Sequence, residues 1–203
     1  MNPCAFHSRA AAAVFVSLLA RIAQGVTAVR ARSRPWLLLL LGPIAAGCTI
    51  LHVPKPGAFD SPLPAFQGAA SVSLVNAQSD SAIRTLGRAG VGTMTGDLRA
   101  WTESAMALMN AELAKTGIKT QADSRKLLKV AIVDANLGVS GIDFVAAVAK
   151  CSVRMRLETG DGFVKEETYQ NHALAPPSAC DKAVSQAVQA ALRTEEVNAY
   201  LRQ

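Results

Sequence analysis

The reactive chemistry open to this 203-residue chain is concentrated in four cysteines, Cys4, Cys48, Cys151 and Cys180. A thiolate can be alkylated, can bind a soft metal, or can pair with a second thiol. Cys48 stands directly behind a greasy run that ends in small residues, "RPWLLLLLGPIAAGC", whereas Cys151 and Cys180 belong to the C-terminal part. Metal chemistry finds little support. His7, His52 and His172 do not stand at ligand spacing, and Cys151 and Cys180 lack a third partner. No G-x-S-x-G, H-E-x-x-H or S-x-x-K motif follows Cys48. Gly87–Gly96 ("GRAGVGTMTG") precedes a helix as a phosphate loop would, but it has no Lys-Ser/Thr and reads as a flexible loop. Glu166-Glu167 and the Arg154/Arg156 pair read as a solvated sheet face rather than as acid, base or anion clamp. The sequence therefore predicts no catalytic residue, no metal and no cofactor, and a chain that is not an enzyme.

The run before Cys48 has the order of a secretion signal: arginines, an apolar core, then small residues. The core, Trp36 to Ala46, has 11 residues, about half of the ~20 that span a bilayer as a helix. An earlier apolar stretch, residues 10–29, is interrupted by Arg21 and Gln24. It can be read as a poor membrane helix, as an extension of the signal, or as a start codon placed too early. The segment from Val29 onward forms a compact signal by itself, which favours the last. Ala45-Ala46-Gly47-Cys48 resembles the lipobox of bacterial lipoproteins. That resemblance implies a diacylglyceryl thioether on Cys48, cleavage between Gly47 and Cys48, and a further acyl chain on the new amine. The alternative is a chance cysteine after an ordinary signal peptide. Two or three acyl chains, at about 0.8 kcal/mol per buried CH₂, hold a protein stably on a lipid bilayer without spanning it. By likeness to Gram-negative lipoproteins, threonine rather than aspartate at position 49 implies the outer membrane, periplasmic face, over the inner membrane.

Charge supports this division. Five of the 21 basic residues and none of the 15 acidic ones precede Cys48, so the remainder is close to neutral despite a formal charge of +6. Basicity confined to a leader argues against a nucleic-acid partner. Three regions follow: a leader over 1–47, with 1–28 in doubt as a true start; a lipidated, Pro-rich tether over 48–68; and a folded domain over 69–203. The tether holds Pro54, Pro56, Pro62 and Pro64, which bias it toward an extended, semi-rigid spacer.

In the domain, Ala70–Ala77 alternates as a strand. A helix is predicted over Asp97–Thr116, with Asp97 or Thr95 as cap and Gly117 as the left-handed residue behind it. Lys126–Asn136 reads as a buried strand. From Phe144 to Glu158 the odd positions are apolar and the even ones turn polar, so one face meets a core and the other water. Thr159–Gly162 reverses the chain into Phe163–His172, and Pro176-Pro177 ends that hairpin. A final helix is predicted over Ser178–Leu201. The order β-α-β-β-β-α predicts an α+β two-layer sandwich, with an antiparallel-rich sheet and two helices on one face.

These elements place Cys151 on the core face of its strand and Cys180 in the first turn of the last helix. In an exported protein such a leftover pair predicts a disulfide that joins sheet to helix. Two separately buried thiols are the other reading.

The stretches "SVSLVNAQSD" and "AIRTLGRAGVGTMTGDLRAWTESAMALMNAELAKTGIKT", behind a lipobox and ahead of strands and a terminal helix, resemble the YajG family of small Gram-negative lipoproteins. The match runs from about Ser71 to Leu201 and is most specific in Ile83–Gly87 and Gly96–Gly117. It implies an outer-membrane lipoprotein with no catalytic residues to carry over. The function expected is a non-enzymatic binding or structural module of the cell envelope with an envelope protein as possible partner. The alternative is an accessory lipoprotein of a lipopolysaccharide or phospholipid transport assembly.

Overall fold

The structure, a computed structural model, describes residues 48–65, 71–89, 92–143 and 146–203. Residues 49–203 form one compact unit. Among the described residues, eight strands and three helices follow Cys48 in the order β1 (Thr49–Leu51), β2 (Ser71–Asn76), β3 (Ile83–Ala89), β4 (Gly92–Asp97), α1 (Leu98–Lys115), β5 (Lys119–Thr120), β6 (Leu127–Asp143), β7 (Ala146–Thr159), β8 (Val164–Ala173), α2 (Pro176–Leu192) and α3 (Glu195–Arg202). The fold is the expected α+β, built on one mixed sheet.

β6 is the spine of that sheet. Along one side it pairs antiparallel with β7, which pairs antiparallel with β8. Its other side is long enough for two short strands in tandem. β2 runs parallel to its first half, Ser73 opposite Leu127, and β3 meets its second half, Gly87 opposite Leu137. β5 extends the sheet beyond β2; β4 and then β1 extend it beyond β3. The long ladders are all antiparallel, and the parallel pairings are short.

Both long helices cover one face. α1 packs on β2 and β6, α2 on β7 and β8, and the two helices touch. Between the layers lie Trp101, Met109, Leu113, Leu128, Ile132, Val153, Leu157, Val188 and Leu192, all at or below 1% exposure. β7 shows why the sheet takes this orientation. Cys151, Val153, Met155 and Leu157 are buried while Arg154 and Arg156 are exposed, the alternation its sequence predicts. Both ends of α1 follow from local chemistry. Asp97 Oδ1 accepts from the Arg99 and Ala100 amides at 2.8 and 3.3 Å. At the other end Gly117, at φ +90°, closes a Schellman motif in which Gly117 N donates to Ala114 O and Ile118 N to Leu113 O.

Two expectations are corrected. Gly87–Gly96, expected as a flexible loop, falls in the antiparallel pair of β3 and β4, with Leu86 and Met94 buried. The glycines that hid the strand pattern are part of it. A Cβ on Gly87 would lie 1.8 Å from the Leu137 carbonyl oxygen, so glycine lets β3 approach β6. The single terminal helix is two. α2 ends before Thr194, which adopts extended geometry (φ −61°, ψ 133°). The break turns Val197, Tyr200 and Leu201 into the core, where the Tyr200 hydroxyl accepts from Leu127 N at 2.8 Å. Pro176 and Pro177 start α2 rather than only ending the hairpin, since a first helical turn needs no proline N–H.

Candidate functional site

Cys48 is exposed and bonded to Thr49, the first residue of β1. Gly47 and the rest of the leader, Cys4 and His7 included, lie outside the described residues. β1 runs parallel to β4 with Thr49 beside Thr93, so the lipidation candidate adjoins the sheet directly.

The proline-rich stretch behind β1 is extended, as proline dictates, and it is bound to the domain. His52 N donates to Thr95 O at 2.9 Å. The indole Nε1 of Trp101 donates to His52 O at 2.8 Å, and Ser104 Oγ donates to Pro54 O. Lys55 N donates to Asp181 Oδ1 at 2.9 Å, Ser185 Oγ to Gly57 O at 3.2 Å, and Arg193 Nη2 to Ser61 O at 2.9 Å. Leu63 is buried against the core. The segment expected as a semi-rigid spacer thus lies as a strap across α1 and α2. One signal in the sequence pointed to this cover. Glu112 is 2% exposed on α1, and its carboxylate accepts from Lys115 Nζ at 2.7 Å and from Phe59 N of the strap at 3.4 Å. A carboxylate on a buried helical face needs a polar partner brought from elsewhere.

Beneath the strap His52 meets Trp101 edge-on, ring centroids 5.7 Å apart, with Nε2 3.2 Å from Asp181 Oδ1 but off the line of a hydrogen bond. Burial holds its pKa below the ordinary 6.5; Asp181 pulls it back up, and Lys55 adds to the lowering. The unfolded chain therefore takes up a proton that the folded strap resists. Stability is fully present above 6.5 and is lost as pH falls through the lowered folded value. Melting temperatures between about pH 5 and pH 8 should fall at the acid end more for the native chain than for His52→Gln. Parallel pH profiles would show that His52 does not set this dependence.

The disulfide expected from strand alternation is present. Cys151 of β7 is joined to Cys180 of α2 with 5.0 Å between Cα atoms, both fully buried. Arg154 and Glu166 face each other on the outer sheet surface at 3.7 Å, while Glu167 pairs with Lys165. His172 lies exposed at the end of β8. Between the strap and α2 runs an open groove of about 430 Å³, edged by Phe59, Asp60, Asp181, Lys182 and Gln189. Among the described residues no three His, Cys, Asp or Glu are grouped to hold a metal, and no helix is long and apolar enough to cross a membrane.

No known family model and no curated protein matches the chain. In structure it is similar to a Xanthomonas campestris protein of the DUF330 family, with a TM-score of 0.44 at 15% identity over 75% of this chain and 94% of that one. It is also similar to a minor lipoprotein from Acinetobacter baumannii, with a TM-score of 0.36 at 11% identity over 65% of this chain and 94% of that one. At these values the likenesses carry no argument about function, and the YajG resemblance rests on its quoted stretches alone.

Proposed function

We propose that the protein is a lipoprotein of the bacterial cell envelope, acylated on Cys48 and acting as a non-enzymatic binding or structural module at the periplasmic face of the outer membrane. The observation that carries this is the exposed Cys48, preceded by a lipobox-like Ala45-Ala46-Gly47 and followed at once by the folded unit. A sulfur in that place can be acylated and leave the domain intact. The buried Cys151–Cys180 bridge supports export, because structural disulfides persist in oxidising compartments. An envelope protein partner is supported by β8, which among the described residues pairs only with β7 and so offers a backbone edge for strand addition.

Cells fed radiolabelled palmitate test the reading. The native chain should carry label and sediment with membranes; Cys48→Ser should carry none, and globomycin should accumulate an uncleaved precursor. An unlabelled native chain found free in solution would overturn it.

A further inference from the structure

β8 ends the sheet on one side, and the turn before it fixes which of its backbone groups face outward. All its residues pair with β7 without a bulge. At the turn Thr159 N donates to Phe163 O at 2.9 Å, and Gly162 N donates to Thr159 O. Paired residues in an antiparallel ladder alternate between exchanging both bonds and exchanging none. In phase with Phe163, the odd residues of β8 bond to β7. Val164, Glu166, Thr168, Gln170 and His172 therefore turn N–H and C=O outward, and among the described residues no backbone group meets them. Exposed edges are usually guarded by proline, a bulge or lysines. β8 has no proline and no bulge, and Lys165, Glu166 and Glu167 gather its full charges at one end.

The strand is complementary to a second copy of itself. With a two-fold axis through Tyr169, Glu166 stands opposite His172 of the second copy, and Thr168 opposite Gln170. Both pairs join outward-turned residues, as a hydrogen-bonded ladder requires. Glu166 lies beside Arg156 of β7, and His172 beside Lys150. Across the seam the row reads Arg156, Glu166, then His172 and Lys150 of the second copy, so the acid has bases on both sides. One step further out, Val164, 45% exposed, meets Leu174, 73% exposed just past the end of β8. Two side chains that a lone chain leaves in water thereby cover each other. Lys165 faces Ala173 and Glu167 faces Asn171, so no like charges are opposed. On the helix side Tyr169 lies beside an open groove of about 450 Å³ edged by Gln186, Gln189 and Ala190, which leaves room for the second ring. Other registers fit worse. An axis at Thr168 sets Val164 against His172 and Glu166 against Gln170, and an axis at Glu167 sets that carboxylate against itself.

We infer that β8 pairs with β8 of a second copy of this chain, antiparallel about a two-fold axis through Tyr169, so that two sheets join into one. The inference names the partner of the open edge and rests on that edge taking a strand, not on acylation of Cys48. Two-fold dimers are the commonest protein assembly and need a self-complementary patch. The axis runs along the sheet normal, so both Cys48 residues lie at one height along it and both anchors can enter one bilayer.

The test uses the full chain in the cells that make it. Glu166→Cys/His172→Cys sets two thiols about 20 Å apart along one strand, too far to join within a chain. Across the seam the same positions lie opposite each other at about 5.5 Å between Cα atoms, within reach of a disulfide. Mild oxidation should give a dimer that reductant splits. Leu51→Cys, 59% exposed in β1 at the opposite edge, should give none. In detergent the native protein should sediment as a dimer. Glu166→Lys should weaken association roughly tenfold, since two symmetric pairs become like-charged, and Glu166→Lys/His172→Glu should restore it. A β8 cysteine pair that joins no second copy would overturn the inference. Should those cysteines join a protein of another mass, the edge still takes a strand and only the second copy falls. Thiols that join nothing would remove strand addition at β8 as well, and cross-linking through Leu51→Cys alone would move the interface to β1 and overturn the inference too.

Discussion

Trp101→Ala is expected to destabilise the domain by about 3–5 kcal/mol, the range for truncating a large aromatic in a packed core, and to release the strap. The indole has no exposed surface and packs against the Gly96 backbone, where an added Cβ would sit 2.8 Å from Nε1. It also ties three pieces together: α1 carries it, β4 flanks it, and its N–H holds the His52 carbonyl at 2.8 Å. Trp101→Phe separates the two contributions. It keeps most of the apolar contact but leaves His52 O without its donor, a loss of about 1–3 kcal/mol that falls mainly on the strap. Chymotryptic cleavage after Phe59 reads strap release, and urea unfolding reads global stability. Trp101→Phe should cleave faster than the native chain while unfolding at nearly the same midpoint as judged from the core. Cleavage no faster than in the native chain would show that Ser104, Asp181 and Arg193 hold the strap without the indole.

What could be read from the sequence divides along the range of the interactions involved. β7 and α1 carry their own periodicity, because each buries one face against a single continuous layer; Val153, Met155 and Leu157 on one, Trp101, Leu108 and Leu113 on the other, are all core residues. The disulfide was legible for the same reason, once Cys151 fell on the buried parity of its strand. The β3–β4 hairpin was not. Its four glycines suppress alternation, and the reason for Gly87, the carbonyl of Leu137 across the sheet, is 50 residues away in the chain. The strap was hidden differently. Proline reports an extended backbone but is silent on what the backbone's free carbonyls bind, and here the donors are Trp101, Ser104, Ser185 and Arg193 from two distant helices. The tandem placement of β2 and β3 along one side of β6 follows from the 17-residue length of that strand, which the sequence reading ended at Asn136. With a longer β6 comes a ladder to β7 that runs on to Asp143, paired with Ala146, so the error in one strand's length concealed how far the spine of the sheet extends.

Breaking the Cys151–Cys180 bridge is expected to cost about 3–4 kcal/mol. The bond spans 29 residues of sequence, and closing a loop of that size in the unfolded chain removes conformational entropy of roughly that worth at room temperature. In a domain of this length each kcal/mol moves the melting point about 2–4 °C, so the double variant Cys151→Ala/Cys180→Ala should melt roughly 6–16 °C lower. Either single substitution should cost nearly as much as both, since each removes the same bond; the double-mutant cycle should therefore show a strong coupling. Location sharpens the expectation. The bridge fixes α2 to β7 beside the strap residues Lys55 and Gly57, which bind α2 through Asp181 and Ser185. Loosened α2 should carry the strap with it, so chymotryptic cleavage after Phe59 should rise in the double variant even at temperatures where the sheet is intact. Both sulfurs are fully buried, so reductant should reach them only through unfolding, and the native bridge should survive mild reduction that would open an exposed one. Two free thiols in non-reducing mass analysis of the exported protein, or a double variant that melts with the native chain, would contradict this account.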